Sequence, residues 1–472
     1  MELQDRFAQI SAYINAHRDE LIADFSAVIA HPSVRSDAAP GAPFGKDCAD
    51  CLSFCAELYK KYGFSTELFA DNGYALSESR PAGGKTIGLF THTDVVPAGD
   101  GWTYTSPFVP KLIGDNLVGR GAIDNKSAVI LSLYAMRAIR DLGFSLRSRI
   151  LTFLGSNEES GMADVKAFAR EQQMPDFSLV PDSGFPISFG QKGMLRFDIL
   201  SDKPLTAITA LSGGEAYNVV LDRVDATLSV TPALEAAFSL PHDKITVVRE
   251  GDVFRVSAVG KPAHASRAGN GENALLLLSS YFAGLDALPP SDREIFAKVA
   301  ASLADTDGTA FGIQAKNDLF GATTVACGMV RIRDGKLFYT YDIRFCNVLD
   351  KDEIIRRIRT FFAGIGFSYT EHSCKHCLLN PKDTAEVQTF LRVFHELTGS
   401  KKEPFIMGGG TYAYYLKNAY ACGTYGHASG KSLPRVPERG GVHQADEFVC
   451  ITDVIEASAI IATAILEIDA IL

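Results

Sequence analysis

Between residues 64 and 183, short apolar runs alternate with stretches of helical spacing. TIGLF (86–90), RILTFLGS (149–156) and FSLVPDS (177–183) are nearly unbroken apolar runs that end in polar residues, the pattern of strands buried on both faces. SAVILSLYAMRAIRDLG (127–143) and ADVKAFAREQQ (163–173) place their apolar residues at helical intervals. This alternation predicts an α/β domain with a mainly parallel central sheet flanked by helices. Upstream, residues 1–35 read as one or two helices stopped at His31-Pro32. A Pro/Gly/Ala loop, a helix running to Tyr62 and a strand-like segment at 64–68 follow.

After about Gly190 the period changes to two. MLRFDIL, ATLSVT, KITVVREGDVFRVSAVG and LFYTYDIRF alternate along their length, with helical NALLLLSSYFAGLDAL and KDEIIRRIRTFFAGIG between them. That is the signature of an α+β insertion with an antiparallel sheet. Helical AEVQTFLRVFHELTG resumes near Asp383, and TDVIEASAIIATAILEI closes the chain. The predicted division is 1–189 for the first part of the α/β domain, 190–378 for the insertion and 379–472 for the second part.

Composition narrows the possibilities. A chain of 472 residues exceeds one ordinary core. Its net charge of −10, without a basic stripe, argues against nucleic-acid and anionic-membrane partners. The N-terminal MELQDRFAQISAYINAHRDELIADF lacks the basic start and apolar core of a secretory signal. No apolar run reaches bilayer-spanning length. Nine cysteines, an odd number without framework spacing, point to reduced thiols and a cytoplasmic protein. Cys48, Cys51 and Cys55 fall at i, i+3 and i+7 and read as core-facing thiols. Cys374, His376 and Cys377 read as an incidental cluster in a turn.

The chemistry lies at the ends of the strands, where functional residues of such sheets gather. THTDVVPAGDGW (91–102) carries His92 and Asp94, two apart on extended chain and therefore pointing the same way. GRGAIDNKS (119–127) carries Asp124, SNEESG (156–161) carries Glu158 and Glu159, and PDSG (181–184) carries Asp182. His443 follows late, in GVHQADEF. Carboxylates converging at one sheet edge repel unless a cation compensates them. Two imidazoles and three carboxylates suit zinc, manganese or cobalt. They suffice for two ions if one carboxylate bridges.

Taken in order, HTDVVPAGDGW, GRGAIDNKS, the Glu-Glu pair, PDSG, GKPAHAS and VHQADE resemble the two-metal amidohydrolases and peptidases. That family includes aminoacylases, carnosinases, acetylornithine deacetylase, succinyl-diaminopimelate desuccinylase and PepV-like dipeptidases. The insertion length and MGGGTYAYYL (407–416) are most similar to the PepV-like group. The resemblance covers nearly the whole chain. It implies a catalytic α/β domain and an inserted lid that is ferredoxin-like and long enough to hold two such units. The second unit would stand in for a partner subunit, which implies a monomer.

The resemblance also assigns roles. Asp124 bridges two divalent ions, zinc first, with manganese or cobalt also accepted by these donors; His92 and Asp182 complete one, Glu159 and His443 the other. Asp94 supports His92, and Glu158 is the general base. A cis peptide follows Asp124, where Asn125 departs from the more usual residues. In the lid, His264 polarises the scissile carbonyl, Asn218 binds the oxyanion and Arg344 the substrate carboxylate. Gly409 and Thr411, within Gly408–Thr411, lie against the substrate. The implied activity is hydrolysis of dipeptides with free termini by a metal-bridging hydroxide. An N-acyl amino acid deacylase of the same family and an inactive binding protein of the same fold are the alternatives.

Overall fold

Seven successive buried residues make Thr86–His92 an inner strand of a mixed sheet. It pairs in parallel with Arg149–Gly155 and with Phe177–Gly184. The computed structural model describes residues 2–79, 84–238, 243–425 and 439–472. Across the sheet the order runs 65–69, 74–79, 149–155, 86–92, 177–184, 419–425, 187–191. Parallel pairing occupies the centre, where the polar loops emerge. The 65–69, 74–79 and 149–155 strands pair antiparallel, as do 419–425 and 187–191.

The helix Lys126–Asp141 is buried at every position from Lys126 to Ile139. A helix covered all round belongs to the interior. It packs on the 86–92 strand and against Leu3–Ala16, Arg18–Ile29 and Ile451–Asp469. Each fully buried Leu or Ile there contributes about 1.5–3 kcal/mol of transfer free energy. Cys48, Cys51 and Cys55 are buried on the inner side of the helix Lys46–Lys61, as their spacing predicts, and all nine cysteines are free thiols.

A second, three-stranded sheet joins distant parts of the sequence. Its order is Phe448–Cys450, Asn116–Val118, Lys111–Ile113, with Phe448 opposite Val118. This pairing carries the late GVHQADEF segment to the GRGAIDNKS loop.

The chain divides into two units. One comprises Met1–Gly190, Leu379–Phe405 and Gly410–Leu472; the other comprises Gln191–Leu378 and Ile406–Gly409. Within the first, the Asn380 N–H donates to the Phe189 carbonyl at 2.7 Å, so the chain leaves and returns side by side. The second unit holds an eight-stranded sheet in the order 245–250, 253–259, 223–229, 208–213, 324–333, 336–345, 193–204, 367–375. Its neighbouring strands all pair antiparallel. The helix Ala274–Ala283 packs on strands of one half and Lys351–Ile365 on the edge of the other. No helix among the described residues is long and apolar enough to cross a membrane.

Candidate active site

Six side chains singled out from the sequence meet at the C-terminal edge of the parallel strands. His92 ends its strand opposite Gly155. Its Nε2 lies 3.2 Å from Asp124 Oδ1 and 3.9 Å from Asp182 Oδ1. The other Asp124 oxygen lies 3.1 Å from His443 Nε2, which is also 3.1 Å from Glu159 Oε1. Asp124 thus faces one imidazole with each oxygen. Ligand atoms of His92, Glu158 and Asp182 lie within 4.8 Å of one another, as do those of Asp124, Glu159 and His443. Glu158 therefore stands beside His92 and Asp182 rather than apart from them.

The protein fixes these groups by backbone contacts. His92 Nδ1 is 3.0 Å from the Asp94 carbonyl and 3.4 Å from its carboxylate. Donation from Nδ1 leaves Nε2 as the lone-pair side of the ring. The Asp94 carboxylate accepts the N–H of Glu158 at 3.0 Å and of Glu159 at 3.1 Å. Asp94 thus serves the Glu-Glu loop with its side chain and His92 chiefly with its carbonyl. Asn125 Nδ2 donates to Asp182 Oδ1 at 2.8 Å, and the Asp124–Asn125 peptide is cis. His443 lies at φ +63°, a left-handed conformation uncommon outside glycine.

The electrostatics favour bound positive charge. Burial pushes the His92 imidazole down, yet Asp124 and Asp94 outweigh it and raise its pKa well above the ordinary value. Burial likewise opposes protonation of His443, and the charge of Glu159 with Asp124 overcomes it. Asp182 is raised well above the carboxylate range by burial and by the charge of Asp124. His92 Nε2 is buried and makes no hydrogen bond. A buried lone pair among carboxylates fits a divalent cation, and N/O donors of this kind suit zinc, manganese or cobalt.

Three supporting residues escaped the sequence reading. Glu447, fully buried, accepts from Arg120 Nη1 at 2.6 Å and from the N–H groups of Gly121, Ile123 and Asp124 at 3.2, 2.7 and 3.0 Å. It locks the loop that carries Asp124. Asp164 accepts the N–H groups of Ser156 and Asn157, leading into Glu158, and the hydroxyl of Tyr412. Glu447 sits within the quoted GVHQADEF, where a charge directly before apolar FVC was the available signal.

Within the second unit, His264 and Asn218 are neighbours. Val219 bridges His264, and the Ala265 N–H donates to the Asn218 carbonyl at 2.8 Å. His264 Nδ1 accepts the Ser266 N–H at 3.2 Å. That leaves the proton of the neutral ring on Nε2. Arg344 is held by Asp342 through Nε at 2.5 Å and Nη2 at 2.9 Å, and donates from Nη1 to the Gly408 carbonyl at 3.2 Å. A Cβ at Gly408 would stand 2.7 Å from the Ser266 Cβ, so glycine there permits close approach to the His264 segment. Gly409 has open space around it. Thr411, in the first unit, is buried and caps the turn after it by accepting the Ala413 N–H at 3.3 Å.

Comparison with known proteins finds relatives along nearly the whole chain. A β-Ala-Xaa dipeptidase from Lactobacillus delbrueckii subsp. lactis is 30% identical over 478 residues, spanning 96% of this chain and 96% of the relative. The structure of human carnosine dipeptidase 1 matches with a TM-score of 0.61 at 16% identity, covering 98% of this chain and 99% of that one. A Saccharomyces cerevisiae dipeptidase, Dug1p, matches with a TM-score of 0.63 at 13% identity, covering 98% of each chain. At those identities the two structures show a shared fold. The profile of peptidase family M20/M25/M40 matches residues 88–467, and the chain belongs to that family.

Proposed function

We propose that the protein is a metal-dependent dipeptidase acting on short substrates with free amino and carboxyl ends. The observation that carries this reading is the Asp124 carboxylate set between two imidazoles, with Glu158 beside the cluster. The dipeptidase relative from Lactobacillus supports the substrate class.

We assign His92, Asp124 and Asp182 to one divalent ion and Asp124, Glu159 and His443 to a second, with zinc the first choice and manganese or cobalt as substitutes. Bound cations supply positive charge that brings the pKa of water from about 15.7 toward 7. Glu158 accepts the proton of the attacking water and returns it to the leaving amine. Asp94 holds the Glu158 and Glu159 amides and so fixes the base. His264 polarises the scissile carbonyl, Asn218 meets the oxyanion, Arg344 meets the substrate carboxylate, and Gly409 and Thr411 border the substrate. The free thiols agree with a cytoplasmic setting.

The deciding experiment strips the protein of metal, restores zinc, manganese or cobalt singly, and assays dipeptides beside N-acetyl amino acids. Metal-restored cleavage of dipeptides is the expected result. Preference for N-acetyl amino acids would make the protein a deacylase, and inertness on both panels would sink the enzymatic reading. We further propose a monomer, on the strength of the eight-stranded sheet within one insertion unit. Sedimentation at dimer mass, with activity lost on dilution, would refute it.

A further inference from the structure

Tyr412 lies directly after Thr411 and is 1% exposed. Its hydroxyl donates to Asp164 Oδ2 at 2.5 Å. The same oxygen accepts the N–H of Ser156 at 2.8 Å and of Asn157 at 2.9 Å, while Oδ1 accepts the N–H of Val165 at 2.7 Å. One carboxylate oxygen therefore gathers the tyrosine hydroxyl and the two amides that lead into Glu158. The turn is closed from its other end as well: Met162 N–H donates to the Asn157 carbonyl at 2.7 Å, and Ala163 N–H to Asn157 Oδ1 at 2.9 Å.

Gly155 marks the same spot independently. A Cβ there would stand 2.1 Å from the Tyr412 hydroxyl oxygen and 2.6 Å from Asp164 Oδ2. Gly155 is the register partner of His92. The tyrosine–aspartate pair thus passes over the strand end that pairs with the His92 strand, and the Tyr412 ring meets His92 edge-on at 6.2 Å and Phe153 at 5.4 Å. The sequence leaves no side chain at 155, where one would collide with the pair.

We propose that Tyr412 and Asp164 are positioning residues for Glu158, joining the segment that begins at Thr411 to the loop that presents the base. The inference rests on the assignment of Glu158 made above. Neither residue touches the reacting atoms. The hydroxyl of Tyr412 fixes the Asp164 carboxylate, and that carboxylate fixes the backbone from which the Glu158 side chain departs. Removing the hydroxyl frees one acceptor site and loosens the approach to Glu158, while the ring still fills its place beside His92.

The test compares wild type with Tyr412→Phe and Asp164→Asn. Each is assayed for kcat and KM on a dipeptide, for metal content, and, as metal-free protein, for hydrogen exchange at the 155–160 segment. Tyr412→Phe is expected to keep wild-type metal content and a KM within twofold, to lose about tenfold in kcat, as for one hydrogen bond, and to exchange faster at Ser156 and Asn157. Asp164→Asn is expected to move each readout further in the same direction. A folded Tyr412→Phe protein with unchanged kcat and unchanged exchange would overturn the proposal, as would a lowered melting temperature with kcat intact. Should both variants fail to fold, wild type decides: rapid exchange at Ser156 and Asn157 in folded, metal-free protein overturns the pair, and slow exchange supports it. Wild-type inertness on dipeptides would instead fall on the functional reading, and exchange would still judge the pair.

Discussion

Two buried groups of acids, one in each unit, are stabilised in opposite ways. In the second unit Asp342 is fully buried and is met by Arg196 Nε at 2.8 Å and by the bidentate fork of Arg344. Burial would raise its pKa, yet the two guanidiniums hold it below the ordinary carboxylate range. In the first unit Asp94 and Asp164 rest largely on neutral N–H and O–H donors. Burial and the charge of Asp94 push the Asp164 carboxyl up to about 7. Asp182 and both imidazoles are likewise drawn toward protonation. Asp342 carries its own counter-charge, whereas the cluster around Asp124 and Asp182 presents an anionic excess that a bound cation would relieve.

The largest effect that tests this contrast is metal removal. Chelation should abolish dipeptide turnover, and added zinc, manganese or cobalt should restore it, as followed by activity and elemental analysis. Glu158→Ala should come next, losing about 10²–10⁴ in kcat as a proton-transfer group does while keeping full metal content. Asp342→Asn should leave the buried Arg344 guanidinium, and beside it the partly exposed Arg196, without a carboxylate and cost about 3–5 kcal/mol, measured by denaturant unfolding. Because the folded pKa of Asp342 is lowered, its contribution is present above the unfolded value of about 3.9 and is lost as pH falls through the folded value. Acid unfolding of Asp342→Asn should accordingly lack that share of the pH dependence. The smallest effect has the opposite sign: Asp182→Asn should slightly raise the melting temperature of metal-free protein, because it removes one member of a repelling set. A fall in that temperature would count against the contrast.

The central strands were legible because burial on both faces leaves an unbroken apolar run, as in TIGLF. Strands with weaker runs were not. Ala419–Tyr425 reads AYACGTY, with small residues and glycine instead of a β-branched core, and joins the sheet beside Phe177–Gly184. The donor residues were readable because each closes a strand or opens a turn within a dense motif. Their supports were not, since Glu447 and Tyr412 meet Asp124 and Asp164 only through pairings distant along the chain. Nor could spacing reveal that the side chain of Asp94 holds two amides while its carbonyl receives His92.

The hydrogen bond from Asn380 to Phe189 has an evolutionary and practical consequence. All six convergent side chains belong to the scaffold outside residues 191–378. An insert whose two ends lie alongside each other can be exchanged for another of different length or surface with little disturbance to its host. Such a graft can redirect which molecule is recognised while keeping the host's cluster of carboxylates and imidazoles, provided it brings its own counterparts of Asn218 and His264.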